Sequence, residues 1–179
     1  MKFASKALVT WGIFSILFGL YLIWQRSNPL RISFENPTVA VKEVDEAKQD
    51  SLPVKIKIES RQIELPIIPQ KLIGTNWQVT DKGVTYLTDS PIPGKVGNSI
   101  LYGHNWTKLL GNLTLVTPGD IIEIAYANGE VKNFKVTNTQ VVDPSQVSIL
   151  KNTTDKRITI YTCTGLLDTK RFVVVAETS

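Results

Sequence analysis

Two hydrophobic patterns divide the chain. From residue 7 to residue 25 apolar and aromatic side chains follow one another on all sides, with no charge among nineteen positions. From residue 53 onward the apolar positions recur instead in short runs, several with a period of two, as strands do when one face turns to a core. Residues 54–58 (VKIKI) alternate, and 63–68 and 84–87 give two further short strands. Residues 90–98 (SPIPGKVGN) read as a loop from their Pro and Gly content, and a strand follows over 99–102. Residues 120–127 and 131–142 flank Asn128 and Gly129, the dipeptide that best suits a two-residue hairpin turn. Residues 157–162 and 171–176 complete a set of about eight strands. No segment here has a long helical period. The pattern predicts an all-β, closed or nearly closed mixed barrel with short helices at most, one of them over 144–150.

The nineteen uncharged residues approach the roughly 20 needed to cross the hydrocarbon core of a bilayer. Trp11 lies near one end and Tyr21 and Trp24 near the other, where interfacial aromatics belong. Lys2, Lys6 and the amino terminus come first, which predicts residues 1–6 inside and the rest of the chain outside. A cleaved signal peptide would have a shorter apolar core and a small-residue cleavage site. The residues after Trp24, QRSNPL, offer no such site. Residues 7–25 are therefore expected to form an uncleaved, single-pass transmembrane anchor in the cytoplasmic membrane, with the folded domain extracellular. Residues 26–52, with Pro29, Pro37 and the polar run KEVDEAKQDS, read as a stalk able to form a turn or two of helix. The folded domain is then 53–179.

Net charge changes little. The chain carries +4, but Lys2, Lys6 and Arg26 precede the domain without an accompanying acid, leaving 17 basic and 16 acidic groups in the other 153 residues. A near-neutral domain without a basic block gives no footprint for nucleic acid. One cysteine excludes an intrachain disulfide, and one cysteine with one histidine falls short of the four ligands of a structural zinc site. No phosphate-binding glycine motif is present, so no nucleotide cofactor is expected. Asp143 and Asp155, in the 143–157 connection, are too few acids to argue for a calcium site, and calcium dependence stays open.

The chemistry concentrates in residues 157–177, RITIYTCTGLLDTKRFVVVAE. If the two strands there pair as a hairpin centred on Leu167, Cys163 and Arg171 fall opposite each other, with Cβ atoms about 5 Å apart. A lone cysteine is also commonly a buried structural thiol. Strand parity places Arg157, Thr159 and Tyr161 on the face of Cys163, with Ile158, Ile160 and Thr162 on the other. The thiol face is thus expected to be the polar one. Arg157 shares that face but lies six residues, about 20 Å, along the strand and cannot reach the thiol. His104, the sole histidine, follows the 99–102 strand between Gly103 and Asn105 and is the one side chain that ordinarily exchanges protons near pH 7. Asn105, Asn112 and Asn152 each begin an N-x-T triplet, read as unused for glycosylation because a glycan on Asn105 would crowd His104.

Thr159, Ile160, Tyr161, Thr162 and Cys163 together resemble the TLxTC signature of sortases, with Ile in place of Leu. Arg171 eight residues on, the Gly103-His104-Asn105 segment, and Pro93-Gly94 followed by Gly97-Asn98 are similar to that family as well. The resemblance covers roughly 53–177 and implies an eight-stranded sortase-like β-barrel with Cys163, His104 and Arg171 as catalytic residues and Thr162 beside the substrate. It also implies that His104 reaches Cys163. The implied activity is transpeptidation of an LPxTG-like sorting signal onto an amine of a cell-wall precursor or a pilin, without cofactor. No second membrane segment and no recognisable aromatic lid precede the barrel, which disfavours the pilus-polymerising class against a housekeeping or class D/E-like one. Two readings compete. A cysteine endopeptidase would share the His-then-Cys order, but the caspase QACxG is replaced here by YTCTG. A non-catalytic, membrane-tethered binding barrel would be favoured by loss of any of the three residues, and none is lost.

Overall fold

In the computed structural model, residues 2–26, 32–34, 52–73 and 77–178 are described. Helix α1 spans Lys2–Arg26. Its described side chains are Lys6 and residues 9–24, with Trp11, Phe14, Leu17 and Phe18 exposed. Among the described residues, no helix is long and apolar enough to cross a membrane. The polar run at 42–51 lies outside the described residues.

Eight strands follow: β1 (Pro53–Ile58), β2 (Ile63–Gln70), β3 (Val84–Leu87), β4 (Gly97–Gly103), β5 (Ile121–Tyr126), β6 (Val131–Val142), β7 (Lys156–Thr164) and β8 (Lys170–Thr178). They close into a barrel in the order β1-β2-β3-β4-β7-β8-β6-β5. The pairs β2–β3 and β4–β7 are parallel and the others antiparallel, so the barrel is mixed as the pattern predicts. The expected helix over 144–150 is a single 3-10 turn, Val147–Leu150, and similar turns occur at Glu59–Arg61, Gly111–Leu115 and Leu166–Asp168.

The period-two strands explain the barrel interior. Ile56 and Ile58, Leu101, Ile122 and Ile124, Phe134, Ile158 and Ile160, and Val174 and Ala176 all meet in one buried cluster. Gly129 (φ +84°) closes the β5–β6 hairpin in the left-handed region that glycine enters without strain. Gly97 (φ +122°) opens β4 where a Cβ would come within 2.3 Å of the Asn152 side chain, so the loop before β4 and the loop before β7 pack backbone to side chain. Asn98 then ties that corner together: its Nδ2 donates to the carbonyls of Ile149 (3.1 Å) and Lys151 (3.2 Å), and its Oδ1 accepts from Thr159 Oγ1 (2.7 Å).

Central strands β4 and β7 depart from the pattern because both of their faces are covered. Every residue of β4 is buried, as expected for strands in parallel pairing. Outside the barrel, Ile100, Tyr102, Tyr161, Cys163, Val173 and Val175 form a second apolar cluster with Ile32, Phe34 and Trp77. This corrects the expectation that the thiol lies on a polar face. Strand parity is right, but segments outside the sheet cover that face with aromatic rings. Tyr102 and Tyr161 stack at 5.4 Å, and Phe34 and Trp77 meet Tyr161 edge-on at 4.9 and 5.9 Å.

Candidate active site

The β7–β8 ladder pairs Cys163 with Arg171, the register expected for a hairpin centred on Leu167. Neither side chain is freely exposed, at 4 % and 3 %. On the other side of β7, the parallel ladder with β4 ends at Gly103 opposite Thr162. His104 is the next residue after that pair, and neighbouring strands run about 4.8 Å apart. Its backbone therefore leaves the sheet at the end of β7 that carries Cys163. Thiol, guanidinium and imidazole come from three consecutive strands of the barrel, β4, β7 and β8, at one end.

Thr162 is also at this end, but inside the ladder. It has no exposed surface, and its Oγ1 donates to the Gly103 carbonyl at 2.8 Å. A side chain so placed fastens the ends of β4 and β7. Arg157 is far along the strand, paired with Asp155 and Glu177.

Arg171 holds a fan of carbonyls. Nη1 donates to Asp168 O (3.0 Å) and Lys170 O (2.9 Å), and Nη2 donates to Ser33 O (2.8 Å). Its Nε is buried with no hydrogen-bond partner among the described residues. Buried donors of this kind are uncommon and call for an explanation. Ile32 and Phe34, on either side of Ser33, are buried in the cluster that contains Cys163, and the guanidinium lies 6.0 Å from the Phe34 ring centroid. Residues just before the barrel thus add an aromatic ring, Phe34, to the apolar cluster around Cys163. The signal was the alternation of Ile32 and Phe34, hidden inside a segment read as stalk.

His104 is half-buried and stacks on Trp106, centroids 4.4 Å apart and planes within 6°. Burial pushes its pKa down from the ordinary value, while the carboxylates of Asp168 and Asp81 push it back up. Asn105 Nδ2 donates to Asp168 Oδ1 at 2.9 Å, joining the His104 loop to the β7–β8 turn. The sequence singles out Asn105 in the Gly103-His104-Asn105 segment and as the start of a triplet, but not Asp168. All three triplet asparagines are engaged: Asn112 Nδ2 donates to Arg61 O, and Asn152 Oδ1 accepts from Asn98 N.

Among the described residues, no three His, Cys, Asp or Glu side chains converge as metal ligands. Asp143 and Asp155, the two acids considered for calcium, face Lys170 and Arg157 instead.

Residues 56–179 match the family described as the sortase domain. The chain is 30% identical over 150 residues to sortase A of Listeria monocytogenes, covering 82% of this chain and 65% of that protein. It is 29% identical over 131 residues to sortase A of Bacillus anthracis, covering 69% and 58%. The chain thus spans less than two thirds of the length of either relative. The crystal structure of Listeria monocytogenes sortase A superposes with a TM-score of 0.59 at 32% identity, over 73% of this chain and 88% of that one.

Proposed function

The chain belongs to the sortase family, and from that membership we propose that it is a cysteine transpeptidase acting on an LPxTG-like sorting signal. The observation that carries the reading is the pairing of Cys163 with Arg171 across β7–β8, beside the point where His104 leaves β4. In the first half-reaction the Cys163 thiolate attacks the carbonyl carbon of the scissile peptide bond, and an Sγ–C bond forms. The oxygen takes up negative charge and accepts hydrogen bonds from Arg171, whose Nε has no hydrogen-bond partner among the described residues. The C–N bond then breaks, and His104, as imidazolium, gives its proton to the leaving amine. In the second half an acceptor amine attacks the thioester. It returns a proton to His104 as the Sγ–C bond breaks and the thiolate is restored. Water in place of the amine gives hydrolysis.

The partners in this reading are sorting-signal peptides and an amine of a cell-wall precursor or a pilin. Residues 7–25 serve as a single-pass anchor with the N-terminus inside and the barrel outside. The uncharged run between Lys6 and Arg26 and the exposed apolar side chains of α1 support that assignment. The test is turnover of an LPxTG-like peptide with hydroxylamine as acceptor. A peptide hydroxamate is the expected product, and Cys163→Ala should abolish it. Turnover surviving in that variant removes Cys163 as nucleophile, and cleavage at unrelated bonds without amine capture favours an endopeptidase.

A further inference from the structure

Leu167 (φ +54°) and Asp168 (φ +59°) are consecutive non-glycine residues in the left-handed region, at the tip of the β7–β8 connection. Such backbone persists where the surroundings over-determine it, and it concentrates at functional sites. The contacts made by Asp168 run to both sides of the site. Its Oδ1 accepts from Asn105 Nδ2 (2.9 Å), and its carbonyl accepts from Arg171 Nη1 (3.0 Å). Asn105 directly follows His104, and Arg171 faces Cys163. One residue therefore touches the histidine loop with its side chain and the guanidinium with its main chain.

The histidine loop needs such a tie. The β4–β7 ladder stops at Gly103, so the sheet does not fix the backbone of His104. The described contacts that restrain it are Leu110 N to His104 O (3.1 Å), the Trp106 stack and the Asn105–Asp168 bond. Thr162 holds Gly103, the residue before His104, to β7, and the Asn105–Asp168 bond holds the residue after it to the β7–β8 turn.

We propose that Asp168 is a positioning residue which, clasped by Asn105, sets the place of His104 relative to Cys163 and the aim of the Arg171 fork. The proposal rests on the transpeptidase reading. A carboxylate suits the task because it accepts the amide bond and also favours the imidazolium that must protonate the leaving amine. The charged groups around His104 are Asp168 on the β7–β8 turn and Asp81 before β3, with Lys108 5.2 Å above the Trp106 ring.

The experiment uses the full chain in mild detergent, with hydroxamate formation from an LPxTG-like peptide and with iodoacetamide modification of Cys163 followed against pH. Wild-type turnover tests the transpeptidase reading. The alkylation arm needs no substrate and tests the clasp even if turnover is absent. Asn105→Ala and Asp168→Ala should each lower kcat by about tenfold or more, as loss of a hydrogen bond to a charged group does, with KM nearly unchanged. The double variant should be no worse than either single one, because breaking the clasp once breaks it fully. Asp168→Asn keeps an acceptor oxygen and should restore most of kcat. Its histidine titration, seen in both the rate and the alkylation profile, should move to lower pH. Additive losses, effects confined to KM, or a wild-type kcat in either alanine variant overturn the proposal. If the alanine variants fail to fold, Asp168→Asn decides alone, and an unshifted alkylation profile overturns it.

Discussion

Replacing Arg171 by lysine keeps the charge and removes the fork, and the consequence can be worked from the contacts described. In the native site Nη1 spans the carbonyls of Asp168 and Lys170, Nη2 reaches Ser33 O, and Nε has no partner among the described residues. A lysine ammonium offers three hydrogens from one atom and is more strongly hydrated. Seated among the carbonyls of Asp168 and Lys170, it uses two of those hydrogens to hold the turn and has no second nitrogen to reach toward a developing oxyanion. Losing one oxyanion donor costs about 10²–10³ in rate, or roughly 3–4 kcal/mol. The fold should survive, since the β7–β8 ladder and the apolar residues on both sides of it are untouched. The assay is hydroxamate formation under saturating peptide, beside a thermal melt. Arg157→Lys is the internal control, because Arg157 pairs with Asp155 and Glu177 at the far end of β7. A loss of 10²-fold or more in kcat for Arg171→Lys, with Arg157→Lys near wild type, is expected. Near-normal turnover in the Arg171 variant, or a crippled Arg157 variant, refutes the assignment of the oxyanion donor.

Burial lowers the His104 pKa below its ordinary value, so the unfolded chain binds more protons than the folded one as pH falls past about 6.5. Stability should therefore decline with decreasing pH through that window, and His104→Gln should flatten the decline in melts taken from pH 7.5 to 5; an equally steep decline in the variant counts against it. Activity should follow a bell whose acid limb lies at or below about pH 6.5, and a flat rate from pH 5 to 9 rules out a Cys–His pair. Ile32→Ala with Phe34→Ala removes two side chains packed in the cluster with Cys163, and a soft methanethiosulfonate reagent should then modify the thiol several-fold faster; an unchanged rate means that this segment does not shield it. Protease added to intact protoplasts should digest the barrel, whereas protection until lysis overturns the proposed topology.

What the sequence makes legible here is local or depends on strand parity. The alternation of Ile56 and Ile58, the Asn128-Gly129 turn and the symmetry of Cys163 and Arg171 about Leu167 each need a few neighbouring residues to read, and each agrees with the strands observed. The character of the thiol face was misread for the opposite reason. Its cover comes from Phe34 and Trp77, far from β7 in sequence, and parity reports which way a side chain points without reporting what arrives to meet it. The Ser33–Arg171 bond spans 138 residues, and no periodicity encodes such a contact. Asp168 escaped notice because its neighbour in the left-handed region is Leu167, a residue type that gives no sign of such a turn, although an Asp there is common enough.

The strand order also dictates when the site comes into being as the chain folds. The β5–β6 and β7–β8 hairpins join neighbours in sequence, and such hairpins form in about 1–10 μs. Pairing β4 with β7 must first close a loop of 59 residues, and closing the barrel must bring Ile56 to Ile124. Loop entropy has to be met before those contacts give anything back, so non-local pairings of this kind set the slow step. An early hairpin already carries a thiol opposite a guanidinium, while the histidine after β4 waits for β4 to pair with β7. Bond cleavage is in this way made conditional on a long-range pairing, that of β4 with β7, and a half-folded chain has the nucleophile without the means to expel a leaving group.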